Sequence, residues 1–143
     1  MAVVTNDGRF VILAGAWDNA VKVASVRTRR VVHSALGPND VVTCLALDET
    51  NTTLMTGCRD GTCMVWGLQR DGRGERLGLL GPLRVLYGHK GPINAIALNT
   101  ELDITASASR DGTCNIHTLQ GVYVRTLRPP PPSSLVSEDK NHG

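Results

Sequence analysis

Aromatic residues are scarce. Phe, Trp and Tyr make up 3% of the 143 residues, as Phe10, Trp17, Trp66, Tyr87 and Tyr123, so a core has to be built from Val, Leu, Ile and Ala. For the same reason the chain lacks the basic residues interleaved with aromatics that single-strand nucleic-acid binders use for stacking. No apolar run approaches the ~20 residues needed to span a bilayer, and no charged segment precedes an apolar core at the N-terminus. The sequence therefore reads as soluble, with neither a membrane helix nor a signal peptide. Cys44, Cys58, Cys63 and Cys114 show no C-x-x-C spacing, which argues against zinc and for small buried side chains in a reducing compartment. A large excess of one charge is lacking too. The net charge of +2 is far from the basic footprint of a dedicated nucleic-acid binder. No phosphate-binding glycine loop, HExxH or paired-carboxylate site is present, and no cofactor is expected.

What the chain does contain is repetition, within a length that fits one domain. Arg59-Asp60-Gly61-Thr62-Cys63 recurs as Arg110-Asp111-Gly112-Thr113-Cys114, an offset of 51. Carried backwards, that offset aligns Gly37 with Gly88, Ala46 with Ala97, Leu47 with Leu98 and Thr56 with Ser107. A third copy at an offset of 42 places Asp18 on Asp60, Gly15 on Gly57, Val23 on Val65 and Val4 on Ala46. The nine-residue difference falls in 67–82, a Gly-rich stretch read as a lengthened, mobile and solvated loop. It carries Arg70, Arg73 and Arg76 against Asp71 and Glu75.

Within each copy, short apolar segments alternate with turn signals, which is a strand pattern. In the middle copy these are 41–47, 53–58, 63–66 and 83–87. Four strands per unit of about 40–45 residues is the blade of a β-propeller. None of the runs is long enough for a helical solenoid.

These residues resemble the WD40 repeat family: Gly88-His89 followed by Ser107 and Asp111, and in the preceding copy Thr56, Asp60 and Trp66. The resemblance implies a network in each blade. The Asp closes the turn between the second and third strands and accepts from the His, the His bonds a Ser or Thr, and that residue bonds the Trp. Buried polar groups must satisfy one another, so a complete network pins blade geometry. Asp18, Thr56, Asp60, Trp66, His89, Ser107 and Asp111 are assigned to it. No copy is complete. The first has Ala14 and Ala24 at the Ser/Thr and Trp positions, the second has Gly37-Pro38 in place of Gly-His, and the third has His117 in place of Trp.

His89, Ser107 and Asp111 also have the composition of a hydrolase triad. Catalysis would need an exposed nucleophile and an oxyanion hole, no GxSxG elbow is present, and the repeat accounts for all three residues. A non-enzymatic reading follows. In WD40 proteins the residue before the turn Asp lies on the face carrying partner contacts, here Trp17, Arg59 and Arg110, with Lys90 nearby. Trp and Arg are enriched at binding hot spots, while pairing with an acid such as Asp40 would be the bland role for the arginines.

The segments 40–48, 63–66, 86–89, 100–103, 109–113 and 125–130 are together similar to the C-terminal WD40 region of neurobeachin-like BEACH-domain proteins. The resemblance implies a non-catalytic interaction scaffold in vesicle trafficking and protein sorting, cytoplasmic and peripheral on vesicles or endomembranes. Partners would be proteins or peptides at the propeller loops and the missing blades of a longer chain, with no nucleic acid and only indirect membrane association. The rival reading is a WD40 subunit of a nucleic-acid or chromatin complex. The expected architecture is all-β: a partial propeller of about three four-stranded antiparallel blades over 1–128, in repeats of about 1–36, 37–87 and 88–128. Four prolines from Pro129 open a disordered tail over 129–143. A three-blade piece would leave two apolar flanks exposed.

Overall fold

The computed structural model describes residues 1–15 and 18–130. Trp17 and the tail from residue 131 onward lie outside the described residues. The strands are β1 (Ala2–Val4), β2 (Phe10–Leu13), β3 (Ala20–Ser25), β4 (Arg30–Leu36), β5 (Val42–Leu47), β6 (Thr53–Cys58), β7 (Cys63–Arg70), β8 (Leu77–Leu86), β9 (Ile93–Asn99), β10 (Ile104–Ser109), β11 (Cys114–His117) and β12 (Tyr123–Leu127). They form three four-stranded antiparallel sheets in simple meander order, β1 to β4, β5 to β8 and β9 to β12.

The period of two in the apolar pattern decides which way each side chain faces. In the middle sheet Leu54, Cys58, Met64 and Trp66 join Phe10, Ile12, Val21 and Val23 of the first sheet in one core. The alternate residues Met55, Cys63 and Val65 join Ile93, with Ile96 and Leu98 of the third sheet packed against them. The middle sheet is thus buried on both faces, while each outer sheet has one covered face. On β10 Thr105, Ser107 and Ser109 are buried, and Ile104 on the opposite face is 39% exposed. Cys58 and Cys63 are buried and Cys44 and Cys114 half-buried, all as free thiols. Burial pushes the Cys58 thiol up to about 11 and Cys63 to about 12.

The turns that carry the repeated Asp-Gly-Thr are built alike. Asp60 Oδ1 accepts from the Thr62 backbone N–H at 3.0 Å and its hydroxyl at 2.6 Å. Asp111 Oδ1 accepts from Thr113 in the same way, at 2.9 and 2.6 Å. Gly61 has φ +89°, and a Cβ there would lie 2.5 Å from the His89 carbonyl oxygen. The turn of one sheet can therefore seat against the loop entering the next only with glycine.

Two expectations are corrected. Thr56 lies opposite Met64 and Met55 opposite Val65 in the second sheet, and in the third Ser107 lies opposite Asn115 and Ala106 opposite Ile116. The offset of 51 therefore holds. In the first sheet, however, Ile12 faces Val23 and Leu13 faces Lys22. Val23 corresponds to Val65 at the offset of 42, so Ile12 corresponds to Met55 and Leu13 to Thr56, at an offset of 43. Val3, opposite Ile12, likewise corresponds to Ala46. The first repeat has one extra residue between Leu13 and Asp18. Leu13 rather than Ala14 holds the Ser/Thr position, and Ala14 takes the place of Gly57. A one-residue slip reverses every side chain on a strand, and the corrected register turns Phe10 and Ile12 into the core.

The segment 67–82 is not a solvated loop. Most of it extends β7 and β8 into a hairpin, with Gly67 opposite Leu80, Leu68 opposite Leu79 and Arg70 opposite Leu77. Leu77 and Leu79 are 1% and 7% exposed and belong to the core shared with the first sheet. Only the tip turns back, with the Asp71 N–H donating to the Arg76 carbonyl at 3.1 Å and Asp71 Oδ1 accepting from the Glu75 N–H at 2.8 Å.

Candidate functional site

The predicted network is divided between two sheets. In the second, the Trp66 indole N–H donates to Thr56 Oγ1 at 3.1 Å with both residues 0% exposed. A Cβ on Gly37 would lie 2.6 Å from the Trp66 ring, so glycine gives the indole its room. Where a histidine would follow, Pro38 is buried instead, and Asp60 serves only its own turn.

In the third sheet the histidine is present. The His89 side chain is 2% exposed. Its Nδ1 lies 3.3 Å from Asp111 Oδ2 and 3.1 Å from Thr113 Oγ1, and its Nε2 lies 3.0 Å from Ser107 Oγ. A proton on Nδ1 is donated to Asp111, while Nε2 also lies 2.9 Å from the Ser107 carbonyl oxygen, so it accepts from the Ser107 hydroxyl when unprotonated and donates to the carbonyl when protonated. Asp111 Oδ2 also accepts the Lys90 N–H at 3.0 Å. The Thr113 hydroxyl and the Lys90 and Thr113 backbone N–H groups outweigh burial and hold the Asp111 carboxyl well below the usual carboxylate range. Ser107 is 2% exposed. At the Trp position, His117 is 5% exposed, its ring edge-on to Tyr123 with centroids 5.6 Å apart, and its Nδ1 is buried without a partner.

In the first sheet Asp18 keeps the turn role, accepting the Ala20 N–H at 3.2 Å and pairing with Lys22 Nζ at 2.7 Å. The Lys22 ammonium and the Ala20 N–H lower its pKa.

The predicted contact residues separate in behaviour. Arg59 forms a two-pronged pair with Asp40, with Nη2 to Oδ1 at 2.8 Å and Nε to Oδ2 at 3.3 Å, so its guanidinium is committed. The Val41 backbone N–H and then Arg59 lower the Asp40 pKa. Arg110 and Lys90 are exposed and make no ion pair among the described residues. Their backbones are fixed, since the Arg110 N–H donates to the Pro92 carbonyl at 2.9 Å and the Lys90 N–H to Asp111. Trp17 lies outside the described residues.

Sequence reasoning missed a second polar hub at the opposite end of the sheets. Asp48 is 2% exposed and accepts from the Thr52 and Thr53 N–H groups at 2.9 Å, the Thr50 hydroxyl, and the Thr52 and Thr100 hydroxyls at 3.1 Å. Burial alone would raise its pKa, but these bonds together bring it below the ordinary value. Thr100 belongs to the next sheet, and Asn6 of the first sheet donates to Asn51 and Glu49 beside it, at 2.6 and 2.7 Å. One turn thereby ties three sheets. Its signal was a strand-ending Asp followed by hydroxyl residues, a turn signature.

The sheet order, the Asp-Gly turns and the His89 network define a segment of a WD40 β-propeller. The chain has TM-scores of 0.72 to the crystal structure of RRP9 WD40 repeats and 0.73 to the structure of U3-55K, each at 22% identity, covering 90% of this chain and 38% of those. A family model described as the neurobeachin beta propeller domain matches residues 1–142, and the chain belongs to that family. It is 35% identical to BEACH domain-containing protein B of Arabidopsis thaliana, over 93% of this chain and 6% of that protein. It is 28% identical to a putative neurobeachin homolog of Caenorhabditis elegans, over 88% of this chain and 5% of that one. The chain thus spans about one-twentieth of the length of these relatives.

Proposed function

We propose that this chain is a non-catalytic protein-interaction segment of a BEACH-type scaffold, acting in vesicle trafficking and protein sorting in the cytoplasm, peripheral to vesicles or endomembranes. The observation that carries the interaction reading is that the exposed Arg110 and Lys90 side chains, without an ion pair among the described residues, stand on backbones fixed by the Pro92 and Asp111 hydrogen bonds. Rigid presentation lowers the ordering entropy a partner must overcome. Arg59, paired with Asp40, is the less available of the arginines. The burial of Ser107 supports a structural rather than a nucleophilic role for the His89 network.

The test compares the full protein with its Lys90→Ala/Arg110→Ala variant by quantitative co-precipitation from cells, with membrane fractionation alongside. A defined set of proteins retained by the wild type and lost from the variant, at unchanged thermal stability, is the expected result. An identical set from both would sink this interaction surface, and strong salt-sensitive RNA or DNA binding would favour the chromatin reading instead.

A further inference from the structure

At the end of the sheets opposite Lys90 and Arg110, the hairpin tip of β7 and β8 leans over the first sheet and encloses a cleft of about 370 Å³. Arg9, Arg27, Arg73 and Arg76 line it, with Glu75 the acid among its walls. A second hollow adjoins it, sharing Thr28, Val32 and Arg76 and adding Arg30 and Val31. Arg9, Arg27, Arg73 and Arg76 come from three turns distant in sequence, the β1–β2, β3–β4 and β7–β8 connections, and Arg30 from the start of β4. The sequence pattern gave no reason to group them.

Among the described residues, Glu75 is one acid against the four arginines of this cleft, and the other nearby acids are engaged elsewhere. Asp7 pairs with Arg70 at 2.8 Å, and Asp71 is taken up by the backbone of its own turn. Among the described residues, Arg9, Arg27, Arg30, Arg73 and Arg76 form no ion pair, and Arg9 Nη1 donates to the Gly74 carbonyl at 3.4 Å. Like charges brought together repel, so the cluster is most favourable when an anion occupies it. The floor is Phe10, 2% exposed with the Arg70 guanidinium carbon 5.4 Å from its ring centroid.

We propose that this cleft is a docking site for an extended protein segment bearing phosphorylated side chains. Arginine forks match phosphoryl oxygens two bonds at a time. The two hollows share three lining residues, so the arginines surround adjoining recesses that the side chains of an extended segment can enter and a flat bilayer cannot. An RNA strand would want an exposed aromatic to stack on, and Phe10 is covered.

The experiment uses the whole 143-residue chain and a fluorescein-labelled 12-residue Gly-Ser peptide with three phosphoserines, read by anisotropy. The unphosphorylated peptide, phosphatidylserine vesicles and a uridine oligomer are the comparison probes. The expected result is binding of the phosphopeptide alone, weakened about tenfold or more in Arg27→Ala/Arg76→Ala. Arg110→Ala, at the other end of the sheets, leaves that affinity unchanged, which separates this site from the interaction surface proposed above. Circular dichroism melting establishes that the double variant is folded. Phosphopeptide affinity unchanged in the double variant, equal binding of the unphosphorylated peptide, or tighter binding of vesicles or oligouridine would overturn the proposal.

Discussion

The Trp66 indole N–H donates to the Thr56 hydroxyl across two strands at 3.1 Å, with neither residue exposed to solvent. A buried donor left without its acceptor carries its full desolvation penalty, so Thr56→Val is expected to lower stability by about 1–3 kcal/mol. Thr56→Ser, which keeps the acceptor, should lose less. In a double-mutant cycle with Trp66→Phe, denaturant unfolding is expected to give a coupling of about 1 kcal/mol. Additive losses would show that the bond contributes nothing.

The turn that begins at Asp48 ties three sheets together at the other end. Asp48→Ala strands the Thr52 and Thr53 N–H groups and, because these donors are only partly buried, is expected to cost about 1–2 kcal/mol. Its folded pKa lies below the ordinary 3.8, so the unfolded chain binds the proton more readily. The contribution is therefore complete above that value and is lost as pH falls through the lower folded one. Acid titration of the melting temperature checks the sign; a variant that loses as much stability below pH 4 as the wild type does would contradict it.

The hairpin over 67–82 behaves as core. Leu77→Ala, at a 1% exposed position, is expected to lose about 2–5 kcal/mol. Substituting exposed Arg73 at the tip should stay within about 0.5 kcal/mol. Equal, small effects at both positions, measured by urea unfolding, would return the segment to a solvated loop.

His117 is the flaw in the third network. Burial, then the neighbouring His89, pushes its pKa below the ordinary 6.5, so the unfolded chain binds more protons between those two values. Its stabilising effect is full above 6.5 and declines as pH falls through its folded value. The loss of melting temperature between pH 7.5 and 5.5 should shrink in His117→Phe. His117→Trp, with Gly88 at the position that Gly37 holds beneath Trp66, is expected to gain about 1 kcal/mol by giving Ser107 an indole donor and removing the orphaned nitrogen. A destabilised His117→Trp would show that the third sheet has no room for the ring.

The repeats, the strand period and the Asp-Gly turns were legible in the sequence because each is a local rule. A turn Asp accepts the backbone N–H two residues on, and a strand facing a core needs its apolar residues every second position. Those rules gave the repeated Asp-Gly turns at Asp60 and Asp111 and the three-sheet, all-β architecture, while His89 and Ser107 were assigned through the resemblance to WD40 repeats.

Only the tertiary structure decided the remainder, because the deciding contacts join residues far apart in the chain. The extra residue between Leu13 and Asp18 was invisible until strand pairing set Ile12 against Val23. The Gly-rich stretch became a hairpin because the first sheet offered Leu77 and Leu79 an apolar face to cover. Arg59 met Asp40, and the arginines of three separate turns came together around one cleft. Composition counts charges, but packing decides which of them find a partner.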